Sequence, residues 1–231
     1  MRPKSLQGVS TIEFAFILLV LVPLFLGTVG LGLNMLISLQ TVQLARDAGH
    51  MYARGADIDF SLPGNKTILA GIGGGIGMSA TDGSGKAVVI LSTVTYVDDS
   101  LCGLAGKTIA ACTNHLKWVF TQRLTVGNTG VRTSNFGSPV VFCPPPVGSC
   151  VPVTLDSKGR ASLNDQAINP NDRATFTGIN PYSSVIDPVT GATLVSGLPS
   201  GQVIYISEAA AQGVRLPPFT SGAGLYSYTM F

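Results

Sequence analysis

The chain has 231 residues, 14 of them Lys or Arg and 12 Asp or Glu, so 11% are charged and the formal net charge is +2; a typical soluble domain carries about 25% charged residues. Hydrophobic residues make up 45%, which excludes a highly charged disordered chain. The small net charge and the lack of any Lys/Arg cluster exclude a strongly basic nucleic-acid binder, and Gly (28) and Pro (14) follow no fixed period, which excludes collagen.

The first predicted element is a helix. Residues 14–45 carry no charge over 32 consecutive positions, and residues 14–33 (FAFILLVLVPLFLGTVGLGL) are a 20-residue apolar run. At 1.5 Å per residue such a run covers about 30 Å, the hydrocarbon thickness of a bilayer. Arg2 and Lys4 precede it, so the positive-inside rule predicts a cytoplasmic N-terminus and an exported remainder. A cleaved secretory signal needs a core of about 7–15 residues and a following Ala-x-Ala-like site; this core is longer and no such site follows. An inert signal anchor needs only the apolar run. A third reading rests on the junction Gly8-Val9-Ser10-Thr11-Ile12-Glu13-Phe14. Glu occurs only twice in the chain, at positions 13 and 208. A carboxylate at the edge of a bilayer costs a few kcal/mol and is expected to have a partner. A cut after Gly8 creates an α-amino group on Val9. Glu13 could then pair with the Val9 amine of a neighbouring subunit, relieving the penalty on assembly.

At these residues the sequence resembles the class III signal of type IV pilins and pseudopilins. The run Gln-Gly-Val-Ser-Thr-Ile-Glu-Phe-Ala-Phe, followed by Leu/Val, Pro and Gly, is similar to the TadE-like pseudopilins of tight-adherence (Tad/Flp) pilus systems. The resemblance implies cleavage between Gly8 and Val9 by a prepilin peptidase, with Glu13 as the assembly acid. Pro23 stands ten residues after Glu13, later than in the family pattern, which bears on the position of a kink. Pro23 removes one helix hydrogen bond and, with Gly27, Gly30 and Gly32, marks places to bend. The glycines do not form G-x-x-x-G, so no helix-pairing face follows from them.

The helix is expected to outlast the membrane. Leu31, Met35, Ser38, Val42, Ala45, Gly49 and Tyr52 recur at three- and four-residue steps and predict a packed stripe, with Arg46, Asp47 and Arg54 off it. The expected end is near Gly55, with Pro63-Gly64 as a later stop. Residues 65–78 (NKTILAGIGGGIGM) predict a short packed helix or turn; no register gives a phosphate-binding glycine pattern in a strand–helix frame. Residues 87–96 and 117–126 read as strands. In the second, Trp118, Phe120, Leu124 and Val126 alternate with Lys117, Thr121, Arg123 and Thr125, predicting an antiparallel sheet with one wet face. Residues 202–207 and 225–231 are two further β-rich runs. A four-stranded sheet against the helix stripe follows. Residues 131–200 predict long loops with one extra hairpin. Segments 88–92, 120–123 with Gly127-Asn128, and 204–208 look like strands of larger TadE-like ectodomains, though they are β-patterns first.

Cys102, Cys112, Cys143 and Cys150 fall outside the apolar run. Four cysteines permit three pairings, of which the local one, Cys102 with Cys112 and Cys143 with Cys150, is expected. They read as structural bridges in an oxidising compartment. A zinc site would want Cys-x-x-Cys spacing or a Cys/His cluster, and neither occurs. His50 and His115 are the two histidines, and no nucleophile–base set accompanies them. Asp98-Asp99 reads as a turn, and Glu208, at a strand end, could reach Arg123.

The expectation is an α+β, pilin-like protein: a basic leader (1–8), a transmembrane helix (9–35), a stalk extension (36–60) and a periplasmic β-rich head (61–231). It is expected in the inner membrane as a single-pass protein with a cytoplasmic N-terminus. The resemblance implies a minor pseudopilin taking part in pilus assembly for adherence or secretion. Its implied partners are the prepilin peptidase, other Tad pilins or pseudopilins and the inner-membrane assembly platform. No nucleic acid, cofactor, metal or enzymatic activity is expected. The rival readings are an uncleaved membrane-anchored binding or adhesion protein and, more remotely, a periplasmic enzyme.

Overall fold

A computed structural model describes residues 7–54, 63–143, 150–176, 184–186, 193–195 and 203–231. The leader's Arg2 and Lys4, the expected helix end at Gly55 and the Pro-rich turn between Cys143 and Cys150 lie outside the described residues.

Helix α1 (Gln7–Ala53) is continuous through Pro23 and about 70 Å long at 1.5 Å per residue. Pro63 does not stop it. Instead Pro63 opens a second helix, α2 (Pro63–Ile72), where a missing N–H and a fixed φ suit the first turn. A 3₁₀ turn, Gly74–Ile76, follows. Leu69 and Ile76 are buried, whereas Ile68 and Ile72 are exposed, so this segment packs on one side only.

Strand β1 (Ala87–Tyr96) leads into α3 (Asp99–Leu104). Asp98 and Asp99 therefore open a helix: the Leu101 N–H donates to Asp98 Oδ1 at 2.9 Å, an N-cap of the usual kind. Strand β2 (Trp118–Gly127) comes next, and then α4 (Leu163–Ile168), unforeseen in the sequence. Ser162 caps α4 by accepting from the Asp165 N–H at 3.1 Å, while the Ser162 hydroxyl donates to the Asp165 carboxylate at 2.8 Å. The extra hairpin is present as β3 (Ser184–Ile186) and β4 (Thr193–Val195). Strand β5 (Val203–Gln212) is longer than expected and carries Glu208 in its middle. A small hairpin, β6 (Arg215–Leu216) and β7 (Thr220–Ser221), precedes the last strand, β8 (Gly224–Met230).

The main sheet has the order β2-β1-β5-β8, antiparallel throughout. Helix α1 packs on one face. There Leu44, Ala45, Ala48 and Tyr52 meet Val89, Leu91, Leu124, Val126, Ala209 and Ala211; each buried Leu contributes about 2 kcal/mol. The other face is not wet. Val94, Trp118, Phe120 and Ile206 are covered there by Phe136, with Ala174 and Phe176 packed alongside. Trp118 and Phe120 thus lie on the opposite face from Leu124 and Val126, against the alternation read from the sequence. The register jumps from Thr93↔Gln122 to Val94↔Phe120. Thr121 is the extra residue of a bulge, and one extra residue reverses every later side chain.

The helix stripe also differs from the expected one. Leu31, Met35 and Val42 are exposed. Ala45, Gly49 and Tyr52 of the expected stripe are buried, but toward the membrane the packed positions are Gly27, Gly30, Asn34, Ile37 and Thr41, with Leu44 and Ala48 beside the upper part. The sheet approaches the side carrying small residues: a methyl on Gly49 would come within 2.9 Å of Ser207 Cβ. Thr41 is fully buried there because its hydroxyl donates to the Ile37 carbonyl at 2.7 Å.

Candidate functional site: a bare helix and the face that receives the head

The first half of α1 extends beyond the head. Ile12, Phe14, Phe16, Ile17, Leu19, Val20 and Phe25 are each about 60–70% exposed, an arrangement that water penalises and a lipid or protein surrounding relieves. One helix of the described residues is long and apolar enough to cross a membrane, with a peak mean hydropathy of 2.6. Gly8 and Val9 lie in its first turns and Glu13 stands on its exposed surface. Glu13 has no ion-pair partner among the described residues. A single carboxylate beside an apolar run is chemically an acceptor for a cation brought by another molecule.

From Gly27 onward the helix is seated on the head. The Asn34 side-chain amide bonds both backbone groups of Val214: the Val214 N–H donates to Asn34 Oδ1 at 2.7 Å, and Asn34 Nδ2 donates to the Val214 carbonyl at 3.4 Å. Above it, the Tyr52 hydroxyl donates to Gln122 Oε1 at 2.9 Å and bonds the Thr93 hydroxyl at 2.5 Å. Asn34 was not singled out in the sequence. Its signal was an amide at the end of an apolar run, four residues from Gly30 and three from Ile37.

Glu208 and Arg123 are brought together on the far face of the sheet. Their charged atoms lie 3.8 Å apart, and both side chains are buried. The Glu208 carboxylate accepts from the Ser134 hydroxyl, the Asn135 N–H at 2.9 Å and the Tyr226 hydroxyl at 2.7 Å. Arg123 donates to the Ser92 hydroxyl and the Gly137 carbonyl. Burial lowers the Arg123 guanidinium to about 10, against the opposing pull of Glu208. Burial also pushes the Tyr226 phenol above its ordinary range, and its bond to Glu208 adds to the rise. This network ties the 131–137 loop to the sheet; it faces covered core.

The disulfides join Cys102 to Cys112 and Cys143 to Cys150, with Cα separations of 5.8 and 5.6 Å. Asp172 is fully buried with both carboxylate oxygens unpartnered among the described residues. Burial, then the nearby Asp165, raises it to about 8. His115 pairs with Asp99 at 2.7 Å, and the His50 ring lies 4.7 Å from that of Phe231. Neither histidine adjoins a nucleophile. Among the described residues no group of three or more His, Cys, Asp or Glu is placed to hold a metal.

No curated protein and no solved structure matches the chain. Residues 8–50 match the family model described as TadE-like protein. That segment starts at the Gly8–Val9 junction, contains Glu13 and runs up the seam to His50. Through this helix, residues 8–50, the chain is similar to the TadE-like family.

Proposed function

We propose that the chain is a minor pseudopilin of a Tad-type pilus. A prepilin peptidase cuts it between Gly8 and Val9, and it then joins pilus assembly by lateral packing of α1. The observation that carries this reading is the TadE-like segment, which coincides with a bare apolar helix bearing one exposed acid, Glu13. In a low-dielectric surrounding, Glu13 would hold the new Val9 amine of a neighbour and fix the axial stagger between helices. The disulfide-bonded head stays on the far side of the inner membrane and determines contacts with other pilins and the assembly platform. The role is structural. An uncut single-pass anchor is the outcome that would replace it.

The test is intact and N-terminal mass spectrometry of the protein from cells with and without the peptidase. The expected mature chain begins at Val9, requires the peptidase and disappears in Gly8→Val. Glu13→Ala should leave cleavage intact and reduce incorporation into pili. A chain beginning at Met1 in both strains would sink the reading.

A further inference from the structure

We propose that the membrane-proximal face of the head, formed by the β6–β7 hairpin and the groove beside it, docks on the phospholipid surface that α1 crosses. The hairpin tip enters the acyl boundary, and Lys86 and Arg215 hold lipid phosphates. This rests on the membrane-spanning reading of α1 and adds a second, head-borne lipid contact to it.

Depth is the first argument. A hydrocarbon core of about 30 Å beginning beside Glu13 ends near Leu33. The hairpin is docked below that level. The Phe219 ring lies 3.5 Å from where a Gly27 methyl would stand, and Leu216 Cδ1 and Thr220 Cγ2 lie 3.1 and 3.3 Å from that of Gly30. Gly27 is six residues before Leu33, about 9 Å deeper along the axis. A methyl at Gly27 would only touch the Phe219 ring, whereas one at Gly30 would press on Leu216 and Thr220, so the hairpin lies close against this stretch of helix.

The tip is chemically suited to that depth. Its residues are Leu216, Pro217, Pro218 and Phe219, without charge, and both prolines and Phe219 are exposed. Irregular backbone survives next to hydrocarbon only with its donors satisfied. Proline has no N–H, the Leu216 N–H donates to Thr220 Oγ1 at 2.8 Å, and the Phe219 N–H donates to the Leu216 carbonyl at 2.7 Å. No amide hydrogen of the tip is left over.

Charge appears one level higher. A groove of about 870 Å³ is lined by Ile37, the Gly74–Ile76 turn, Lys86, Gln212 and Arg215. Ile37 is four residues past Leu33, about 6 Å outward, at headgroup height. Lys86 and Arg215 are exposed, and neither is paired with a carboxylate among the described residues. Apolar tip below and two cations above is the polarity of a phospholipid monolayer read from acyl chain to phosphate.

The experiment uses the full chain reconstituted in vesicles of phosphatidylcholine with phosphatidylglycerol. Tryptophan is placed at the tip by Phe219→Trp, in the helix by Leu21→Trp and on the head at Leu104→Trp, each with Trp118→Phe. Acyl-brominated lipids are expected to quench the Leu21→Trp and Phe219→Trp proteins but not Leu104→Trp. Lys86→Gln and Arg215→Gln should each weaken the preference for phosphatidylglycerol at the tip by about fivefold, and 10 mM inorganic phosphate should not compete. Quenching of the helix without the tip overturns this proposal alone; quenching of neither overturns it together with the membrane-spanning reading. Full competition by inorganic phosphate would make the groove a site for a soluble anion and defeat docking on lipid. Tip shielding that vanishes on dilution into excess lipid would mean a second copy covers the hairpin, and would also overturn it. Should Phe219→Trp fold poorly, the Lys86→Gln/Arg215→Gln pair read through phosphatidylglycerol enrichment around the otherwise native chain decides the same point.

Discussion

Glu208→Ala is the most informative single substitution in the head. It deletes the acceptor of three hydrogen bonds, from Ser134, Asn135 and Tyr226, and leaves the Arg123 guanidinium buried without its counter-charge. Hydrogen bonds to a charged group contribute about 1.5–3 kcal/mol each, but the three share one carboxylate and their losses do not add. Breaking a buried pair from one side costs about 3–5 kcal/mol, so about 4 kcal/mol is expected. That is a large part of a domain stability of about 5–15 kcal/mol. Trp118 is the only tryptophan and lies in the core against Phe136 and Phe176, so its fluorescence follows this face directly. In urea titrations of the full chain in detergent, a slope near 2 kcal/mol/M turns the loss into a midpoint shift of about 2 M. Replacing both partners, Arg123→Met with Glu208→Leu, should recover much of it, because the burial penalty of both charges is then removed. A Glu208→Ala midpoint within about 0.3 M of the parent, or a double variant as unstable as the two single losses added together, would refute the reasoning.

Two further outcomes follow from the far side of the head. Asp172 binds its proton more tightly folded than unfolded over the window from 3.8 to about 8, so it takes stability away as pH rises through that window; Asp172→Asn should stabilise by about 2–4 kcal/mol at pH 7.5 and be nearly neutral at pH 4, measured by urea midpoints at both values. Reduction of Cys102–Cys112, which closes a separation of 10 residues, should cost about 3 kcal/mol by loop entropy, read as the urea-midpoint difference between the parent and Cys102→Ser/Cys112→Ser, with a non-reducing peptide map giving the two local pairs in the parent.

The helix and the strands were legible because their signals are local. An apolar run long enough to cross a bilayer must satisfy its backbone within itself, which a helix does, and the β-rich runs at 87–96 and 117–126 coincide with the strands within a residue. The Gly8-to-Glu13 junction and the TadE-like stretch are likewise contiguous. What was not legible is which side of each element meets another. Met35 and Val42 are apolar and at helical spacing, yet the sheet chose the side of Gly30, Thr41 and Ala48, because small residues permit close approach of the strands.

By itself the sequence determined the element types, the long apolar helix with Glu13 near its start, the cysteine positions and the scarcity of charge. These depend on composition and on periodicities read within one segment. The tertiary structure alone decided the bulge at Thr121, the burial of Arg123 against Glu208 and the seating of the 215–221 hairpin on Gly27, Gly30 and Asn34. The first turns on one unpaired residue, and the other two join residues 85 to more than 180 positions apart. Such choices are made by which surfaces fit and which polar groups find partners when the chain closes on itself, and no local propensity carries that information.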